Sequence, residues 1–99
     1  MDTAEAKKVL VVEDHPDLRT ILLRQIERMG FTVILAKDGA EAIAMAVREK
    51  PHLILMDIMM PEVDGWEAAR TLRSHPETRH VPIVAVTALF RESDLKRCL

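Results

Sequence analysis

The chain has 99 residues, of which 48% are hydrophobic and 30% charged, and its 14 basic and 16 acidic residues leave a net charge of -2. These values fit one globular domain rather than a disordered segment, and the near balance of charge argues against a nucleic-acid or anionic-membrane surface. The lone cysteine, Cys98, excludes an intrachain disulfide, and no apolar run approaches the roughly 20 residues of a membrane helix.

Residues 1–7 are polar and read as a disordered tail without a signal-peptide core. The expected domain spans 8–99, and a lone thiol fits the cytoplasm. Val9-Leu10-Val11-Val12 is the kind of continuous β-branched run found in a strand buried on both faces. It ends in Glu13-Asp14. Pro16 suits the first turn of a helix, where its missing N–H costs nothing. Leu18, Ile21, Leu22, Ile26 and Met29 then recur at helical spacing, and Gly30 supplies a left-handed stop, which predicts a helix over 16–29. Residues 31–35 read as a second strand. Asp38 followed by Glu41 resembles a capping box, and the alanine-rich stretch 40–47 favours a second helix closed by Pro51. Leu53-Ile54-Leu55-Met56 reads as a third buried strand ending at Asp57. Asp64 is the expected cap of a third helix through Leu72, with Trp66, Ala69 and Leu72 on one side. Pro82 opens a fourth strand, 83–86, ending at Thr87. A fourth helix is expected from about Ser93, with Leu95, Cys98 and Leu99 inward.

Strict alternation of strand and helix predicts an α/β fold, a doubly wound parallel sheet with helices on both faces. Such sheets bind ligands outside the carboxyl ends of their strands. Glu13 and Asp14 end the first strand, Asp57 the third and Thr87 the fourth; if the first and third strands are neighbours, Glu13, Asp14 and Asp57 converge at one end of the sheet. Two like charges about 4 Å apart repel by roughly 4 kcal/mol at an effective dielectric of 20. A hard divalent cation relieves that cost, and oxygen-only ligands favour Mg²⁺ or Mn²⁺. A carboxylate beside such an ion can take up a phosphoryl group, and the hydroxyl of Thr87 can donate to a phosphate oxygen. The competing reading is that acidic residues merely end strands and cap helices; it is weak for all of these positions together.

The segments Val11-Val12-Glu13-Asp14-His15-Pro16, Asp57-Ile58-Met59-Met60-Pro61-Glu62-Val63-Asp64-Gly65 and Val84-Ala85-Val86-Thr87-Ala88 resemble the receiver domains of two-component signalling. The resemblance runs from about Lys8 to Leu99 and implies the CheY-like strand order 2-1-3-4-5. It implies that Asp57 accepts a phosphoryl group from a histidine kinase or a histidine phosphotransfer domain. It also implies that Asp14 holds Mg²⁺ directly and Glu13 through water, that the Met59 carbonyl completes the metal shell, and that Thr87 is the switch hydroxyl. Pro61 and Gly65 shape the loop after the acceptor. Self-catalysed phosphotransfer and autodephosphorylation are then the most that the chain would do as an enzyme. The first helix in this family meets the phosphotransfer partner, which makes Arg19 a candidate contact.

The family pattern has a fifth strand ending in a phosphate-contacting lysine, and then a last helix. Neither is found before Leu99, and Lys96 lies in the expected fourth helix. The expectation is therefore a sheet of order 2-1-3-4 without its fifth strand, impaired phosphorylation, and pairing of two copies through an exposed fourth strand. A phosphorylation-impaired pseudo-receiver acting as an interaction module is the alternative function. A haloacid-dehalogenase-type phosphatase would need an Asp at the position of Met59, and no nucleophile elbow or P-loop is present. His15, His52, His75 and His80 show no metal-ligand spacing. Met56, Met59, Met60 and Trp66 read as packing residues.

Overall fold

The computed structural model describes residues 7–57 and 65–86. Strands and helices alternate as β1 (Lys8–Val12), α1 (Pro16–Arg28), β2 (Thr32–Ala36), α2 (Gly39–Glu49), β3 (Leu53–Asp57), α3 (Gly65–Ser74) and β4 (Ile83–Val86). The strands form one parallel sheet, as the alternation predicts, in the order β2-β1-β3-β4 that the resemblance to receiver domains implies. The expected fourth helix lies outside the described residues, as do Asp64 and the loop that contains Pro61.

Side-chain alternation along the central strands divides the core in two. Leu10, Val12, Ile54 and Met56 face α2 and α3 and pack with Ala42, Ala46, Ala68 and Leu72. Val9, Val11, Leu53 and Leu55 face α1 and pack with Leu22 and Ile26. Both faces of β1 and β3 are thus apolar, which is why these strands read as continuous runs rather than as alternating ones. The small side chains of Ala42 and Ala46 let α2 lie close to the sheet. One crossover runs from β1 through α1 to β2, and the next returns over β1 through α2 to β3. The direction of winding therefore reverses between β1 and β3, and a crevice opens there at the carboxyl ends.

Local chemistry sets the helix limits. The His15 side chain is the N-cap of α1, its Nδ1 accepting from the amides of Asp17 at 3.2 Å and Leu18 at 3.5 Å. At the other end, Gly30 has φ 97°, its N–H donates to the Glu27 carbonyl, and the Phe31 N–H donates to the Ile26 carbonyl. This paired arrangement is the Schellman stop, which needs a left-handed residue. Because the Phe31 amide is used in that cap, β2 begins at Thr32, one residue later than the sequence suggests. Helix α2 starts at Asp38, whose Oδ1 accepts from the Glu41 amide at 2.8 Å. The Glu41 carboxylate in turn accepts from the Lys37 amide at 3.0 Å, one residue before the cap itself. The helix ends on Lys50, a non-glycine residue in the left-handed region with φ 50°.

Two expected helix faces need correction. Leu18 and Ile21 are 48% and 51% exposed, so the buried side of α1 is Leu22 and Ile26, with Met29 half-buried. The first turn of α1 starts at the rim where the strands stop, and little sheet lies beneath it. Ile21 is also about 100° around the helix from Leu22. On α3, the buried pair is Ala68 and Leu72, four residues apart; Ala69 is only half-buried. After α3, buried Thr78 donates to the Leu72 carbonyl at 2.6 Å. Arg73 donates to the carbonyls of Arg79 and Val81, which fixes the approach to β4.

Candidate functional site

Parallel strands put all their carboxyl ends on one rim. The β1–β3 register closes with Val12 opposite Met56, so Glu13 and Asp57 are the next residues on adjacent strands. Neighbouring strands lie about 4.8 Å apart, which brings the two backbone positions close together. Asp57 itself pairs with Val86, so β4 ends at the same rim. Asp14 follows Glu13 directly, in the loop that leads to α1. The rim therefore brings together the positions of Glu13, Asp14 and Asp57. Met59 and Thr87 lie outside the described residues.

The two neighbouring acids are held differently. Glu13 is 2% exposed. Its N–H donates to the Ala36 carbonyl at 3.0 Å, which extends the contact between β1 and β2. One carboxylate oxygen, Oε2, accepts from the His15 N–H at 3.1 Å. Its carbonyl accepts from Arg19 Nη1 at 3.0 Å. Burial of a carboxylate is costly without such partners. Asp14 is exposed, and among the described residues its carboxylate accepts no hydrogen bond. Asp14 thus offers oxygens to a ligand from outside, while Glu13 is built into the wall. An oxygen-only donor set at a solvent-facing rim fits a hard cation such as Mg²⁺. Among the described residues, no three His, Cys, Asp or Glu side chains gather around a common point.

The structure adds residues that the sequence reading left aside. His15 is more than a member of the motif: it caps α1 and fixes Glu13 through its amide. The signal was present, because the residue before a proline at the first helical position is the N-cap position. Histidine is an uncommon choice for that role, since Ser, Thr, Asp and Asn lead. Arg19, a candidate partner contact, turns one guanidinium nitrogen back onto Glu13.

The family profile described as the response regulator receiver domain matches residues 9–99. The chain belongs to the response regulator receiver domain family. Among its relatives is the polar-differentiation response regulator DivK of Brucella anthropi, 42% identical over 92 residues, a stretch covering 92% of this chain and 74% of that relative. The receiver domain of a sensor histidine kinase from Pseudomonas aeruginosa, crystallised with a magnesium ion coordinated in its active-site cleft, is 35% identical with a TM-score of 0.80. That likeness covers 95% of this receiver and 77% of the other chain. The chemotaxis protein CheY4 of Vibrio cholerae is 27% identical with a TM-score of 0.81, over 93% of this receiver and 77% of that chain. The receiver therefore spans about three quarters of the length of these proteins. No helix among its described residues is long and apolar enough to cross a membrane.

Proposed function

We propose that this receiver accepts a phosphoryl group on Asp57 from a histidine kinase or histidine phosphotransfer protein, with Mg²⁺ bound at the rim. The observation that carries the reading is the register, which puts Glu13 and Asp57 next to each other at the carboxyl ends of β1 and β3. The exposed carboxylate of Asp14 beside them adds the free oxygen ligands that a cation needs. The magnesium-bound receiver from Pseudomonas aeruginosa supports the same choice of metal.

In this reading Asp14, Asp57 and the carbonyl of Met59 would hold the cation, and Glu13 would act on it through water. The bound cation supplies neutralisation of negative charge on the transferring phosphoryl group. A carboxylate oxygen of Asp57 attacks phosphorus, the P–N bond to the donor imidazole breaks, and the leaving nitrogen regains a proton. The hydroxyl of Thr87 donates to a phosphoryl oxygen of the product. Leu18 and Ile21 lie exposed on α1, just beyond the acid loop. They form the apolar part of the face that would meet the phosphodonor protein, and a cytoplasmic location goes with such a donor in this reading. Exposed apolar side chains close to a reactive rim suit a contact that must form and dissociate.

The test is binding of beryllofluoride, a phosphoryl mimic, followed through the fluorescence of Trp66. A saturable change that needs Mg²⁺ and vanishes in Asp57→Ala is expected. A response without Mg²⁺, or one that survives Asp57→Ala, would refute the proposal.

A further inference from the structure

We infer that Arg19 is a positioning residue for the cation site, holding the acid loop between β1 and α1 from its inner side. The inference rests on the phosphoacceptor reading and adds a residue to it. Arg19 is half-buried, and its Nη1 donates to the Glu13 carbonyl at 3.0 Å, reaching back six residues. Its own N–H donates to the His15 carbonyl at 2.9 Å. The loop is thus tied at every residue but one. Glu13 is held at its amide by Ala36, at its carbonyl by Arg19 and at its carboxylate by the His15 amide. His15 is held by its side-chain cap and by its carbonyl. Asp14 lies between these two and has no hydrogen bond of its own among the described residues. Its direction is therefore set by the backbone on either side.

Ligands that are aimed before the cation arrives lose less freedom when it binds. Removing a partner that orients a metal ligand typically lowers metal affinity by 10- to 100-fold. Arg19 acts through a main-chain carbonyl rather than on the ligand itself, so the lower end of that range applies. A purely partner-facing role for Arg19 predicts something else: loss of transfer from a phosphodonor protein, with cation affinity unchanged.

The experiment measures Mn²⁺ binding by the loss of its free paramagnetic resonance signal, together with the Mg²⁺ dependence of labelling by a small phosphodonor. The variants are Arg19→Ala, Arg19→Lys and Arg19→Met, which keeps an apolar stem without a donor. Arg24→Ala, an exposed position on the same helix, is the control. Arg19→Ala and Arg19→Met should bind Mn²⁺ about tenfold more weakly. The Mg²⁺ concentration for half-maximal labelling should rise by the same factor, while the rate at saturating Mg²⁺ stays within about twofold. Arg19→Lys should fall in between, Arg24→Ala should match the wild type, and the melting temperature without metal should move by no more than a few degrees. If the wild type binds Mn²⁺ and folded Arg19→Met binds it equally well, the role assigned to Arg19 is wrong and the phosphoacceptor reading stands. If the wild type binds no Mn²⁺, the phosphoacceptor reading falls, and the role of Arg19 falls with it.

Discussion

Glu13 and Asp14 are consecutive carboxylates in opposite surroundings, and their substitutions should separate accordingly. Asp14→Asn keeps the size of an exposed side chain and removes its charge. It should leave stability within about 0.5 kcal/mol of the wild type and weaken Mg²⁺ binding by at least about tenfold, as read by titration calorimetry. The backbone offers a second contrast. Gly30 and Lys50 end α1 and α2 in the same left-handed region. A side chain with Cβ is disfavoured there, so Lys50→Gly should raise unfolding free energy by about 0.5–1 kcal/mol. Gly30→Ala should lower it by about 1 kcal/mol. Denaturant midpoints for the two variants should therefore move in opposite directions. Gly30 was legible as a stop because glycine is the usual residue at that position. Lys50 was not: the sequence marks the end of α2 only through Pro51, which bars the helical region to the residue before it.

Helix α1 carries two separate tasks on two faces. Leu22 and Ile26 close the core over Val9, Val11, Leu53 and Leu55. Ile26→Ala leaves a cavity in that cluster and should cost about 2–5 kcal/mol, a large share of the stability of so small a domain. Leu18 and Ile21 contribute little to the core, being about half-exposed. Leu18→Asp should therefore leave the unfolding midpoint nearly unchanged. It should slow phosphoryl transfer from a histidine phosphotransfer protein by roughly tenfold or more, while labelling by a small phosphodonor continues at the wild-type rate. Equal rates with the protein donor would remove this face from the docking surface. Helical periodicity alone does not divide the two tasks, since Leu18 and Leu22 are four residues apart and share a side. What separates them is the place where the sheet ends beneath the helix, a property of the packed fold.

At the scale of the whole molecule, the alternation of apolar runs with helical patterns was enough to predict a parallel sheet, while its strand order was legible only through the resemblance to receiver domains. Each central strand reads as buried on both faces, and only helices on both sides can bury it so. The rim of acids was legible for the same reason, because polar residues end runs whose apolar bodies do not call for them. The support behind the rim was not legible. The hydrogen bond from Arg19 to the Glu13 carbonyl and the cap made by His15 depend on the angle at which α1 leaves the loop. Charge patterning marks Arg19 only as a surface residue. Everything proposed for this receiver depends on Asp57 taking up phosphorus with the help of a cation at the rim. The most direct measurement is to expose the protein to a small phosphodonor, reduce the acyl phosphate with borohydride, and locate the modified residue by mass spectrometry. The account predicts a single Mg²⁺-dependent modification at Asp57, lost on chelation and much reduced in Asp14→Asn. Modification at a different carboxylate, or at Asp57 with the same yield after chelation, would contradict it.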